Sequence, residues 1–279
     1  VQPAAGDAGG SLGAALAYWH MHYKKPRSEY IDQMKGSLLG PNFDNNLIIE
    51  KLEKLNISYI KKNSEEINEI ISEDLKNGKT VAWFQGRMEF GPRALGNRSI
   101  LADPRVENMQ KNLNLKVKYR ESFRPFAPSI LADDINDWFE INSKSPYMLI
   151  VSNVKKDKCI PMSENDQKLF GIEKLNVKRS EVPAITHVDY SARIQTVHED
   201  TNPKYYKLIK KFKEITGCPI LVNTSFNVRG EPIVSSPEDA FNCFMGTEID
   251  KLVIGNCYLD KKDQNISLKK NYSPKFELD

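Results

Sequence analysis

The spacing of hydrophobic residues predicts several helices along the chain. Apolar residues recur at helical intervals around 67–75, and Gly78 follows where a C-terminal cap belongs. A second helix begins at Asn202-Pro203 and ends at Gly217, with an apolar face formed by Leu208, Ile209, Phe212 and Ile215. Ser236 is predicted to cap a third helix, which has proline at its first position. Residues 14–23 are predicted as a helix after a flexible, glycine-rich loop over 6–13.

Short apolar runs rich in β-forming residues predict the strands. Residues 80–84 and 218–222 have the composition of buried strands, and 251–259 is predicted as a closing strand. The segment 24–46 contains proline, glycine and asparagine typical of a linker or long loop, and the polar segment 153–181 is predicted as a surface insertion. Strands and helices alternate without internal repeats, which favours an α/β fold.

The composition excludes several classes of protein. The 279 residues suffice for one large domain or two, and 40% hydrophobic residues can form a sizeable core. No apolar run approaches the roughly 20 residues of a bilayer span, so we expect no membrane association. A net charge of +3 excludes a globally basic nucleic-acid-binding protein. Four dispersed cysteines without a C-x-x-C pair favour free thiols in a reducing, cytoplasmic compartment.

Positive charge is concentrated in residues 87–124, which contain nine basic and four acidic side chains. Several of these cations lie beside glycine or proline, in GPRALGNR and FRPFAP, where side chains project from irregular loops. Arginine offers paired donors to phosphate and lysine adds a point charge, so a site for small anions is one interpretation. A salt-bridged basic surface and contacts with an RNA backbone are the other two.

Two further segments could contribute to an anion site. Residues 223–227, NTSFN, follow the strand predicted at 218–222, and their hydroxyl, amide and backbone N–H groups suit an oxyanion, although an ordinary turn has the same composition. Arg193 lies in an apolar, strand-like context, where it forms either a structural ion pair or a ligand contact. His20 and His22 are two residues apart, which disfavours a shared metal ion. The sequence contains neither a P-loop nor an α/β-hydrolase signature.

Three stretches together resemble one enzyme family. They are VAWFQGRMEFGPRALGNRS at 81–99 with its continuation to 129, HVDYSARIQTV at 187–197, and CPILVNTSFNVRGEPIVSSPEDAFNCF at 218–244. All three resemble the C-terminal domain of the NodU/CmcH-type O-carbamoyltransferases. The opening PAAGDAGGSLGAA resembles the last motif of the family's N-terminal, carbamoyl-transfer half. We therefore expect the N-terminal part of a longer protein to precede this chain.

The resemblance implies an α/β fold, namely a YrdC-like twisted mixed sheet with flanking helices. A remnant of an actin-like ATPase-fold domain would precede that sheet. The implied division is a transfer-domain remnant and linker over 1–35, a YrdC-like carbamoyltransferase domain over 36–265, and a tail over 266–279.

The resemblance also implies a reaction in two stages. The C-terminal domain would form carbamoyl-adenylate from carbamoyl phosphate and ATP, with release of pyrophosphate. The N-terminal domain would then pass the carbamoyl group to a hydroxyl of a small-molecule or saccharide acceptor, using a divalent metal that is Fe²⁺ in the best-known members. The expected partners are these substrates and the N-terminal transfer domain, with a homodimer as a candidate assembly. Basic loops suit this chemistry because two polyanions must be brought together.

Carried over residue by residue, the resemblance implies Lys118 and Arg193 as catalytic residues. The matching motifs imply a wider set of carbamoyl-phosphate or phosphate contacts: Arg93, Lys118, Arg120, Arg124, Arg193, Asn223 and Ser225. Asp7 resembles a metal ligand of the transfer domain, most of whose metal site would lie outside this chain. Arg87 and Arg98 could as easily be structural.

Two other functions stay open on the sequence. One is a non-catalytic module that binds phosphate ligands or RNA on the same basic surface, and its affinity for RNA would fall steeply with salt. The other is a scaffold that docks a separately expressed transfer subunit through residues 24–46.

Overall fold

The computed structural model describes residues 3–4, 6–27 and 32–269. Its strands are Ile60–Lys61 (β1), Val81–Phe84 (β2), Arg98–Ala102 (β3), Ala127–Leu131 (β4), Ile150–Asn153 (β5), Ser191–Val197 (β6), Ile220–Ser225 (β7), Lys251–Ile254 (β8) and Cys257–Asp260 (β9). Its α-helices are Asp7–Ala17 (α1), Asn45–Lys54 (α2), Ser64–Lys76 (α3), Met109–Asn112 (α4), Ile135–Trp138 (α5), Glu164–Lys168 (α6), Gly171–Leu175 (α7), Pro203–Thr216 (α8) and Pro237–Gly246 (α9).

The strands form one mixed sheet in the order β1-β9-β8-β2-β3-β7-β4-β6-β5. The pairs β2–β8 and β4–β6 are parallel, and the other neighbours are antiparallel. This arrangement confirms the predicted mixed α/β fold. None of the helices in the described part of the chain has the length and apolar character that a bilayer crossing requires.

Local sequence signals explain the two long helices beside the sheet. At the start of α8 the Asn202 side chain accepts from the Tyr205 backbone N–H, and Gly217 ends the helix with φ of 74°. Three residues of the predicted apolar face of α8 are buried, Leu208, Ile209 and Phe212, and Ile215 is half-buried. Helix α8 packs against α3. Helix α3 carries a capping box formed by Asn63 and Glu66. The predictions for both helices are confirmed.

The N-terminal loop prediction is wrong, because helix α1 already begins at Asp7. Its glycines adopt helical geometry, since each glycine in a helix costs only about 1 kcal/mol relative to alanine. The helix continues as a π-helical turn over Tyr18–His22, where the His20 ring bonds the Lys25 carbonyl and the His22 ring stacks on Tyr18. The remnant predicted over 1–35 includes residues outside the described ranges, and its actin-like origin stays a prediction.

Three element boundaries also differ from the sequence prediction. The closing strand over 251–259 is two strands, β8 and β9, which turn at Gly255 with φ of 56°. The segment 24–46 ends in the first residues of α2, where Asp44 caps the helix. The strand predicted at 218–222 starts later and extends to Ser225, because its last residues pair with β3.

The segment 153–181 contains the short helices α6 and α7, and Phe170 between them is 91% exposed. Arg179 lies buried at its base and donates to the backbone carbonyls of residues that include Lys174 and His187. The buried guanidinium therefore links α7 to the backbone that precedes β6, and the bridge between Cys159 and Ser180 also holds the segment.

Candidate functional site

Strand register brings the predicted site segments to one end of the sheet. Arg98 at the start of β3 lies opposite Phe84 at the end of β2, and Ser225 at the end of β7 lies opposite Ser99. Asn223 lies opposite Ala127, the first residue of β4. Directly opposite residues project to the same face of a sheet, so Ser225, Asn223 and Ala127 share one face. Arg98 and Phe84 belong to the other face, because Arg98 precedes Ser99 by one residue.

Two polar cavities open on this end of the sheet. The Arg193 cavity has a volume of about 130 Å³ and is lined by Pro92, Arg93, Ala94, Arg120, Pro125, Phe126, Ala127, Met148, Arg193, Asn223, Thr224 and Ser225. The Lys118 cavity has a volume of about 310 Å³ and is lined by Lys118, Arg120, Arg124, Ser225, Asn227, Val228, Arg229, Gly230, Glu231 and Pro232. Arg120 and Ser225 contribute to both cavities, so the two are adjacent.

Arg93 and Arg193 face the Arg193 cavity without a carboxylate in its lining. In the described part of the chain neither forms a salt bridge, and the buried Nε of each finds no hydrogen-bond acceptor. Burial lowers the pKa of Arg193, and the nearby positive charge of Arg93 lowers it further. Two guanidiniums held together without a counter-charge form a site that is suited to an anion.

Lys118 is 3% exposed and makes a dense network with the end of β7. Its ammonium donates to the carbonyl of Asn227 at 2.9 Å, to Asn227 Oδ1 at 2.7 Å and to Ser225 Oγ at 3.2 Å. Burial lowers the pKa of Lys118 to about 7, with a smaller contribution from the positive charge of Arg120. Lys118 therefore ties the NTSFN segment to the KVKYR segment and lines the Lys118 cavity.

The other two cations of the predicted set occupy different surroundings. Arg120 donates from Nε to Asn114 Oδ1 at 2.7 Å and lies over the Phe126 ring, and burial lowers its pKa to about 10. Arg124 is exposed and pairs with Glu121 at 3.2 Å. Arg120 is thus held rigidly at the junction of the cavities, whereas Arg124 lies at the rim of the Lys118 cavity.

Asn223 is 1% exposed and has a fixed amide orientation. Its Nδ2 donates to the Ala94 carbonyl at 3.2 Å, to Ser129 Oγ at 3.0 Å and to Gln195 Oε1 at 2.9 Å. Its Oδ1 is buried and accepts no hydrogen bond from the described residues. The cavity wall therefore contains one acceptor that a ligand N–H could satisfy.

Three polar residues that the sequence did not single out support this arrangement. Glu89 is buried, and its Oε1 accepts from the backbone N–H groups of Leu95 at 2.6 Å and Asn97 at 2.8 Å, which orders the loop that carries Arg93. Asn227 receives the Lys118 ammonium, and Gln195 bonds Asn223. Gln195 and Asn227 lie within the motifs that resemble the family. Gln195 is two residues from Arg193, and Asn227 is two residues from Ser225. This closeness to predicted site residues is the local sequence signal for them.

Arg98 is fully buried and has a structural environment. Its guanidinium donates to the carbonyls of Gln85 at 2.8 Å and Asn97 at 2.9 Å and lies 3.6 Å from the centre of the Phe84 ring. Arg87 is exposed and donates to the Gly40 carbonyl at 3.1 Å. Neither of them lines the two cavities.

The metal prediction falls on Asp7, whose side chain lies outside the described part of the structure. Within the part that is described, no group of three or more His, Cys, Asp or Glu side chains could hold a metal ion. The described residues therefore do not fit a complete metal centre.

Comparison with known proteins agrees with this chemistry. Residues 72–261 match the family model described as the carbamoyltransferase C-terminus. An uncharacterized protein of Synechocystis is 53% identical over all of this chain and 46% of its own length. Nodulation protein NolNO of Sinorhizobium fredii is 40% identical over 94% of this chain and 36% of its own length.

A further relative carries an enzyme name. The 3'-hydroxymethylcephem-O-carbamoyltransferase of Amycolatopsis lactamdurans is 34% identical over 69% of this chain and 33% of its own length. The chain thus spans less than half the length of each of these relatives. A crystal structure of full-length HypF in the phosphate- and nucleotide-bound form is 16% identical over 68% of this chain and 25% of its own, with a TM-score of 0.44, a similarity too low to support an argument.

Proposed function

This chain belongs to the carbamoyltransferase C-terminus family, and we propose that it forms carbamoyl-adenylate from carbamoyl phosphate and ATP. The carbamoyl group then passes to a hydroxyl of a small-molecule or saccharide acceptor. The observation that carries the proposal is the pair of guanidiniums, Arg93 and Arg193, which face one cavity without a carboxylate partner. The O-carbamoyltransferase relative supports the transfer to a hydroxyl.

The Arg193 cavity is the proposed carbamoyl-phosphate subsite. Arg93 and Arg193 provide paired donors for the phosphate, and Ser225, whose hydroxyl donates to Asn227 Oδ1 at 2.7 Å in this structure, lines the same cavity. Asn223 Oδ1, which lacks a protein donor, accepts from the carbamoyl amide. Carbamoyl phosphate therefore matches the charge of the cavity and also Asn223 Oδ1, which accepts no hydrogen bond from the described residues.

The Lys118 cavity is the proposed subsite for the phosphates of ATP. Lys118, Arg120 and Arg124 line it, and Arg120 with Ser225 connects it to the first subsite. Water cleaves carbamoyl phosphate to carbamate and phosphate. A carbamate oxygen then attacks the α-phosphorus of ATP and displaces pyrophosphate. The cations hold the two anions close together and stabilise the charge that develops, so none of them has to transfer a proton.

The transfer stage is proposed to depend on parts of the protein that the described residues do not contain. These are the N-terminal transfer domain and a divalent metal with Asp7 among its ligands. The cytoplasmic location and a homodimer stay expectations.

Carbamoyl-phosphate-dependent exchange between ATP and pyrophosphate tests the proposed function in the intact protein. Arg193→Ala and Lys118→Ala should each lower the exchange rate about 100-fold or more, since losing a charged contact worth about 3 kcal/mol has that effect. Arg87→Ala is the matched control, because this exposed arginine lies outside both cavities, and it should exchange at the wild-type rate.

Exchange at the wild-type rate in Arg193→Ala would overturn the assignment of the Arg193 cavity. Binding of RNA that weakens steeply with salt and survives each single substitution would instead favour the nucleic-acid module.

A further inference from the structure

Gln195 occupies the centre of the polar network beneath the Arg193 cavity. It is 4% exposed and lies on β6, two residues after Arg193. Its Nε2 donates to the Leu95 carbonyl at 2.8 Å. Its Oε1 accepts from Ser129 Oγ at 2.6 Å and from Asn223 Nδ2 at 2.9 Å. One amide thus uses both of its ends inside the protein.

These hydrogen bonds join segments that are far apart in the sequence. Leu95 belongs to the loop that presents Arg93, Asn223 is on β7, and Ser129 is on β4. Asn223 in turn holds the Ala94 carbonyl at 3.2 Å. The loop of Arg93 is therefore clamped at two consecutive carbonyls, Ala94 and Leu95, directly after the arginine.

The clamp opposes an electrostatic repulsion. Arg93 and Arg193 carry like charges beside one cavity, and the charge of Arg93 contributes to lowering the pKa of Arg193. A carboxylate between them would relieve the repulsion, but it would also neutralise the anion site. A neutral amide holds the loop without adding charge.

We propose that Gln195 is a positioning residue that fixes the loop of Arg93 against the strand of Arg193, so that both guanidiniums face one anion. The proposal rests on the proposed function, because it assigns a role within the same anion site. Residues 193 and 195 alternate with residue 194 along β6, so their side chains share a face of the sheet. The amide lies beneath the anion and does not contact it.

The chemistry of the amide makes the substitution Gln195→Glu informative. A carboxylate has nearly the same shape and still accepts from Ser129 and Asn223, but it cannot donate to the Leu95 carbonyl. It also places a negative charge beside Arg193. A protonated carboxyl, in contrast, is neutral and can donate again.

Calorimetric titration of the intact protein with carbamoyl phosphate and with inorganic phosphate tests this role. Gln195→Glu should weaken the binding of both anions about 100-fold or more near pH 8, which is about 2.7 kcal/mol. Lowering the pH should recover much of the lost affinity in Gln195→Glu, relative to wild type at the same pH, because protonation restores a neutral donor. Gln195→Ala should lose about tenfold at every pH and show no such recovery, since it has no group to protonate.

Gln264→Ala provides the matched control for general destabilisation. Gln264 is also a buried amide, which donates to the Ser58 carbonyl at 2.8 Å and the Asp260 carbonyl at 3.0 Å, and it lines neither cavity. This variant should have a lower melting temperature and an unchanged affinity for both anions.

The outcomes distinguish the positioning role from the anion site itself. If wild type binds carbamoyl phosphate and Arg193→Ala does not, but both Gln195 variants bind like wild type, the positioning role is overturned and the anion site remains. Equal affinity losses in Gln195→Glu and Gln264→Ala, without recovery at low pH, would also overturn it. If wild type binds neither anion, the proposed anion site fails and the positioning role with it.

Discussion

At the scale of single residues, the surroundings decide what each arginine does. Arg98 is surrounded by backbone carbonyls in the core, and Arg105 forms an ion pair with Asp103 at 2.6 Å. Arg193 is half-buried, has no carboxylate partner among the described residues and faces a cavity. Residue type does not distinguish these cases. Arg105 pairs with a carboxylate two residues away, and Arg98 donates to carbonyls that include that of Gln85, whereas the cavity that Arg193 faces has no carboxylate in its lining.

Lys118 leads to a prediction about pH. Its folded-state pKa of about 7 lies well below the ordinary value of 10.5, because burial penalises the ammonium. A depressed folded-state pKa means that the unfolded chain binds more protons between these values, so the free energy of unfolding should rise as the pH increases from about 7 to about 10. Lys118→Met should lack this rise when unfolding by denaturant is measured across that range.

Anion affinity should change in the opposite direction. Neutralisation of Lys118 above about pH 7 removes a positive charge from the Lys118 cavity, so sulfate should bind more weakly as the pH increases. Sulfate keeps its charge throughout this range and is therefore a suitable probe. Parallel stability curves for wild type and Lys118→Met would show that the buried lysine does not titrate there.

At the scale of elements, the loop between β2 and β3 depends on one close approach. Gly96 has φ of 105°, and a Cβ at this position would lie 2.1 Å from Cδ1 of the Tyr205 ring on α8. Glu89 orders the same loop through the backbone N–H groups of Leu95 and Asn97. The shape of the Arg93 loop therefore depends on Tyr205 and Glu89, in addition to the hydrogen bonds from Gln195 and Asn223.

Gly96→Ala should destabilise the protein by about 2–4 kcal/mol, since overpacking costs about 1–3 kcal/mol and backbone strain adds about 1 kcal/mol or more. Denaturant unfolding measures this loss. Gly10→Ala is the control, because this glycine lies within helix α1 with open space around it and should be neutral or stabilising by up to about 1 kcal/mol. A stability of Gly96→Ala within about 0.5 kcal/mol of wild type would contradict the packing of Tyr205 against the loop.

At the scale of the whole molecule, the described residues contain the two basic cavities but no complete metal centre. The family match covers residues 72–261. Each of the three relatives compared with this chain is more than twice as long as the part of it that aligns with this chain. We therefore expect substitutions at Asp7, near the N-terminus, and at Arg193, in the Arg193 cavity, to affect the two stages of the proposed reaction differently.

Asp7→Ala should leave carbamoyl-phosphate-dependent ATP–pyrophosphate exchange unchanged and impair transfer to the acceptor, because the proposed metal serves only the second stage. Exchange and acceptor carbamoylation, measured on the same preparation of the intact protein, separate these effects. Arg193→Ala should lower both rates. Normal acceptor carbamoylation in Asp7→Ala would show that the metal assignment is wrong.

The sequence alone determined the features that depend on neighbouring residues. Helices α3 and α8, strand β2 and the cap at Ser236 follow from periodicity, capping residues and β-forming runs. The resemblance of three motifs correctly indicated the carbamoyltransferase family. The phosphate contacts predicted from these motifs all line the two adjacent cavities, although their roles stay predictions.

Only the tertiary structure decided which partners these residues have. The extension of β7 to Ser225 depends on pairing with β3. The hydrogen bond from Gln195 to the Leu95 carbonyl joins residues 100 positions apart. Local patterns carry no information on such contacts, because sheet register and loop packing bring the groups together only when the whole chain folds.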